Sequence, residues 1–185
     1  MSNFESAVEK VLEHEGGYVD HANDPGGATN YGISLRFVKQ STGIDLDVDG
    51  DGDIDADDIK AMTPEQAKEI YKTEFWEKYG YDKIEDENVA TKVFDMCVNM
   101  GPRQAHKLVQ RACNAATNSK DLVEDGILGN KSFEAVNEIG LALTSSSASL
   151  LDPIREVQSN FYKTLAEKKP KLQVFLKGWL RRANS

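Results

Sequence analysis

The chain has 185 residues, 39% of them hydrophobic, and a formal net charge of −9 from 31 acidic and 22 basic side chains. That length supports one sizeable core or two small ones sharing an interface, and no stretch is long or apolar enough to span a bilayer, which excludes stable membrane insertion. The acidic balance argues against nucleic acid as the main partner, and nothing in the pattern calls for more than a monomer.

Phe4, Val8, Val11 and Leu12 recur at helical spacing behind a candidate cap at Ser2 or Asn3, which predicts a helix over 3–14. Glu5, Glu9 and Lys10 interrupt the apolar residues, so this is not a secretory signal, and synthesis in the cytoplasm is expected. Gly16-Gly17 is expected to end the helix in left-handed backbone. Glu15 then sits on the last helical turn, facing whatever the next loop encloses. That loop, "YVDHANDPGGATN", is built from turn formers. "ATNYGISLRFV" predicts a short strand or hairpin followed by a brief helix.

Residues 45–58 hold eight aspartates, and "DVDGDGDIDADD" spaces six of them as a cation loop does. Asp47, Asp49, Asp51, Asp53, Asp55 and Asp58 fall at positions one, three, five, seven, nine and twelve, with Gly52 at six and Ile54 at eight. This is the EF-hand order: side-chain oxygens, a backbone carbonyl at seven, a glycine for the sharp turn and an inward apolar residue. Asp58 is shorter than the usual glutamate. The expectation is one structural Ca2+, since a single loop does not make a paired sensor.

"TPEQAKEIYKTEFWEKYG" predicts a helix capped by Thr63, with Pro64 in its first turn and Gln66 closing a capping box. Further helices are predicted over 89–100, from Pro102 onward, and over 131–142, 152–168 and 171–183, with Pro170 breaking the last two. Cys97 and Cys113 read as free buried thiols. From Phe161 to Ser185 seven basic residues face one acid, Glu167, a balance suited to an anionic surface such as the cell wall. In this tail Leu172, Phe175, Leu176, Trp179 and Leu180 share one helical face, which reads as core ahead of membrane anchor. The predicted fold is mainly α: helical, with a small irregular or β-hairpin lobe near the N-terminus.

Glycoside cleavage needs a protonated carboxylic acid beside a second, ionised carboxylate. A glutamate on a rigid helix end suits the acid, and an aspartate on the adjoining turn suits the partner. Asp24 lies nine residues after Glu15, Thr29 five later, and Asp20 competes with Asp24 for the second role. Thr29 either holds a water nucleophile or bonds the backbone. Tyr18 and Tyr31 either stack on sugar rings or close the core, and Asn99 and Gln104 either line the cleft or cap helix ends.

The string "HEGGYVDHANDPGGATNYGIS" resembles the signature of glycoside hydrolase family 108, the N-acetylmuramidases found among phage endolysins and bacterial secretion-associated muramidases. "FDMCVNMGPRQAHKLVQRACN", "DGILGNKSFEAVN" and "FLKGWLRRA" resemble that family's C-terminal peptidoglycan-binding region. The resemblance covers most of the chain outside the aspartate loop. It implies a lysozyme-like helical fold that cleaves the β-1,4 bond between N-acetylmuramic acid and N-acetylglucosamine, with Glu15 as general acid. It also implies a catalytic half over 1–90, including the loop at 47–58, and a helical half over 91–185 packed with it as one unit. The partners are then peptidoglycan glycan strands, and a holin would release the enzyme from the host cytoplasm to the periplasmic wall. A calcium-stabilised wall binder without catalysis and a lytic transglycosylase are the rival readings.

Overall fold

Helix α1, Phe4–His14, forms where the periodicity places it, and Ala7, Val8 and Val11 are wholly buried. It does not end as expected. The Glu15 N–H bonds the Leu12 carbonyl (3.2 Å), a tightened last turn that needs no left-handed residue. Positive φ falls at Gly27 and Gly32 instead, not at Gly16 or Gly17.

The computed structural model describes residues 3–20, 27–41, 43–144 and 148–185. The chain divides into two compact units, Phe4–Gly80 and Tyr81–Ser185. Among the described residues the fold is mainly helical, with one two-stranded antiparallel sheet near the N-terminus.

In the first unit, strands β1 (Thr29–Asn30) and β2 (Ile33–Ser34) form a hairpin, with Thr29 opposite Ser34 and Asn30 opposite Ile33. Tyr31 and Gly32 make its two-residue turn with φ of 50° and 77°, both positive, as a primed hairpin turn requires. Helix α2, Leu35–Gln40, is capped by the Ser34 hydroxyl. Helix α3, Ala56–Ala61, was not expected from the sequence; it starts inside the aspartate loop, capped by Asp55. Helix α4, Pro64–Tyr71, has the predicted capping box: Gln66 N–H to the Thr63 hydroxyl (3.2 Å) and Thr63 N–H to Gln66 Oε1 (2.8 Å). It runs into a π turn, Lys72–Glu77, a wider winding that often marks functional positions. Phe75 there stacks on Phe37 (5.3 Å between centroids), and Trp76 meets Phe4 edge-on (5.7 Å).

The second unit is built on α5 (Glu87–Met100), α6 (Pro102–Thr117), α7 (Asn130–Thr144), α8 (Leu151–Lys168) and α9 (Gln173–Asn184). Its core joins Phe94, Met96, Leu108, Val109 and Ile154, all fully buried. Cys97 and Cys113 are free and buried as expected, and burial pushes both thiols up to about 12. The apolar stripe of α9 departs from expectation. Phe175 is 54% exposed and the other four residues of that face are half-buried, while Ala183 is the buried residue of this helix. The helix packs against α8, with Trp179 stacked on Tyr162 (5.2 Å between centroids), and its last turn is pinned where Arg182 pairs with Asp95 (2.9 Å) and Lys92 donates to the Arg182 carbonyl (2.7 Å). Burial pulls the Lys92 ammonium down to about 8, against the opposing pull of Asp95.

His106 sits in this core between Tyr81 Oη (2.8 Å from Nε2) and the Gly126 carbonyl (3.2 Å from Nδ1). The carbonyl can only accept, so Nδ1 carries the proton and Nε2 accepts from the phenol. Burial lowers the pKa of His106, partly offset by the Gly126 carbonyl. Above pH about 6.5 the ring is neutral in both folded and unfolded chains, and its contribution is complete. As pH falls further the unfolded chain takes up a proton that the folded one refuses, so stability declines until the lowered folded value is passed. The expected slope is at most about 1.4 kcal/mol per pH unit. Urea midpoints between pH 7.5 and 5 check it: His106→Gln should flatten the decline, and an unchanged slope would remove His106 as its source.

Candidate active site

The site is assembled in the first unit from a helix end, a hairpin turn and one buried phenol. Glu15, half-buried, follows the last residue of α1. A Cβ placed on Gly32 would lie 2.6 Å from Glu15 Oε2 and 2.8 Å from its Cδ, so the carboxyl rests directly on the turn backbone. Only glycine leaves that space, and only glycine takes its φ of 77° at little cost. The same point is 2.7 Å from the hydroxyl of Tyr71, the last residue of α4. Tyr71 is 1% exposed and donates to the Tyr31 carbonyl (2.8 Å).

Thr29 stands in the middle of the small sheet. Its N–H and carbonyl both pair with Val19 (2.8 Å each), and its register partner on the other side is Ser34. The Val19–Thr29 bridge is antiparallel and adds Val19 to the edge of the small sheet. The Thr29 hydroxyl makes a long bond to the Gly27 carbonyl (3.4 Å). Asp20 is exposed and hydrogen-bonds the Tyr18 hydroxyl; Tyr18 is 38% exposed. Ionisation of Tyr18 is pushed upward by desolvation, then by Asp20 and the nearby Asp57 and Asp55. Tyr31 is half-buried, its backbone carbonyl held by Tyr71. Asp24 lies outside the described residues. Asn99 belongs to the second unit, where its side-chain oxygen accepts from Tyr162 (2.6 Å).

Gly32 and Tyr71 were not among the expected site residues. "NYGI" carried a faint signal for Gly32, since a glycine in a two-residue turn flanked by strand formers marks a hairpin. Nothing local marked Tyr71, whose contact partners lie some forty residues earlier.

The aspartate loop brings two overlapping groups of carboxylates together: Asp47, Asp49 and Asp58, and Asp53, Asp55 and Asp58, with one oxygen of each residue in a group lying within 4.8 Å of the others. Asp51 stands outside both groups and accepts the Asp53 N–H (3.0 Å). Asp47 accepts from Gly50 (2.7 Å) and Gly52 (3.1 Å), which folds the loop inward at the expected glycine. Asp58 is 1% exposed and accepts N–H groups from Val48 and Asp55 (2.7 Å each); these bonds hold its carboxyl below the usual range. Asp53 is raised, chiefly by the charge of Asp51. An all-carboxylate set around a buried, ionised Asp58 fits a hard cation such as calcium. Ile54 is half-buried rather than fully inward; Ile59, directly after the loop, is the buried anchor. The Ile59 carbonyl accepts from Asn30 of β1 (3.0 Å, buried), so the loop's exit is tied to the hairpin.

In the second unit an open groove of about 480 Å³ is lined by Gln104, Arg111, Asn160, Phe161, Thr164 and Lys168; of these, Gln104 was a candidate cleft residue. Among the described residues no helix is long and apolar enough to cross a membrane.

Comparison with known proteins divides the chain later, between residues 101 and 104, so that α5 of the second unit falls in the first match. Residues 8–101 match the family model described as Glycosyl hydrolase 108, and residues 104–184 match one described as Predicted Peptidoglycan domain. No curated protein matches the chain. It is similar to the solved structure of Brucella abortus SagA, at 27% identity and a TM-score of 0.69 over 98% of this chain and 89% of that one.

Proposed function

Because this chain belongs to the glycosyl hydrolase 108 family and carries a peptidoglycan domain, it is a glycoside hydrolase that acts on peptidoglycan, and we propose that it is an N-acetylmuramidase with Glu15 as its general acid. The observation that carries this reading is the seating of the Glu15 carboxyl on the Gly32 turn. In that role Glu15 protonates the oxygen of the β-1,4 bond between N-acetylmuramic acid and N-acetylglucosamine as the C1–O bond breaks. The ionised partner is Asp24 or Asp20, and a water held by Thr29 supplies the new hydroxyl. The aspartate loop would hold one Ca2+ through Asp47, Asp49, Asp51, Asp53, Asp55 and Asp58, which would neutralise the carboxylates and fix the loop against α3. The biological setting we propose is a phage endolysin: a monomer made in the host cytoplasm and passed by a holin to the wall.

Mass spectrometry of soluble fragments from purified peptidoglycan tests the reaction. Reducing N-acetylmuramic acid ends are expected. 1,6-Anhydro ends would make the protein a lytic transglycosylase, which needs no water nucleophile. Absence of any fragment would leave a wall binder.

A further inference from the structure

We infer that Tyr71 is the positioning residue for Glu15: its buried hydroxyl pins the hairpin turn on which the catalytic carboxyl rests. This rests on the reading of Glu15 as the acid. A phenol has one proton to give, and Tyr71 gives it to the Tyr31 carbonyl at 2.8 Å. Tyr31 is a non-glycine residue in left-handed backbone (φ 50°), a conformation that persists only when its surroundings impose it. The Tyr71 bond is one such restraint, and it acts at the residue before Gly32. The turn is therefore tied to α4 by a part-buried hydrogen bond.

The same hydroxyl oxygen and the Glu15 carboxyl crowd one point above Gly32, at 2.7 Å and 2.6 Å from a Cβ placed there. Gly32 supplies the floor of this corner, Tyr71 one wall, and α1 delivers the carboxyl from above. The ring of Tyr71 is locked in turn. It is 1% exposed and lies 5.6 Å from the Phe75 ring within the π turn. At 1% exposure Tyr71 offers a substrate almost no surface, and its role is to position Glu15. A shift of about 1 Å in a catalytic group costs as much as a hundredfold in rate.

The test measures kcat and KM on soluble, uncrosslinked peptidoglycan fragments for wild type, Tyr71→Phe, Gly32→Ala and Glu15→Gln. Tyr71→Phe keeps the ring and removes only the hydroxyl. Its kcat is expected to fall roughly ten- to a hundredfold with KM within about twofold. Gly32→Ala, at an exposed turn, drives a methyl onto both oxygens and should lower kcat at least as far, again sparing KM. If either variant instead raises KM at unchanged kcat, or Tyr71→Phe keeps the wild-type kcat while Glu15→Gln is inactive, the positioning role is overturned and the role of Glu15 stands. If Glu15→Gln is as active as wild type, the reading of the acid itself has failed. Should Tyr71→Phe not fold, the kcat and KM of Gly32→Ala decide.

Discussion

Glu15→Gln is expected to lower the release of reducing sugar ends by about 10³-fold while leaving the protein folded and able to bind the wall. Glutamine is nearly isosteric with glutamate, so the contact over Gly32 and beside Tyr71 is kept; what disappears is the transferable proton. Proton transfer by a positioned acid accounts for about 10²–10⁴ in rate, and departure of a sugar alkoxide without it is slow. Pull-down on purified peptidoglycan should recover variant and wild type equally, and their thermal midpoints should agree within a degree or two. A variant within tenfold of wild-type rate would move the acid elsewhere. Running Asp20→Asn and Asp24→Asn in the same assay identifies the second carboxylate as the one whose loss approaches that of Glu15→Gln.

The second large effect is expected from cation removal. Chelation should destabilise the Phe4–Gly80 unit by about 2.7 kcal/mol relative to calcium at a hundred times its dissociation constant. Asp49→Ala should abolish the difference between calcium and chelator. Its side chain is exposed and accepts one N–H, from Asp51, so the substitution removes a ligand without emptying the core. Calorimetry in calcium, magnesium and chelator reads the effect, and identical midpoints in all three would end the proposal of a bound cation. Activity should fall along with stability, because the buried Asn30–Ile59 bond ties the loop's exit to the strand that carries Thr29.

Features decided over a few residues were legible in the sequence. Thr63, Pro64 and Gln66 announce a helix start because a capping box is a contact three residues long. The aspartate spacing is legible for the same reason, as is Glu15 at a helix end, although the turn there closes through Leu12 and not through Gly16. The hairpin and the run of helices follow from period and punctuation. Tyr71 was hidden, since its importance lies in a contact between α4 and a turn far upstream, and an aromatic at a helix's buried face looks like any other core residue. Helix α9 was misread for a different reason. Periodicity tells which side chains share a face but not how fully it is covered, and here Leu172, Leu176, Trp179 and Leu180 are half-buried, with Trp179 stacked on Tyr162, while Phe175 stays exposed. The value of Asp58 beyond its loop position, as a buried cap accepting two backbone N–H groups, likewise required the fold.

The two thiols carry a consequence for where this fold can exist. Cys97 and Cys113 lie in adjacent helices of the second unit, free, buried and held near 12, so each is kept as an unreactive thiol. No bond in the folded core waits for an oxidant, and none is there for a reductant to cut. The covalent molecule is the same on both sides of a redox boundary. A chain folded in a reducing compartment needs no new bond between these two thiols when it meets an oxidising one.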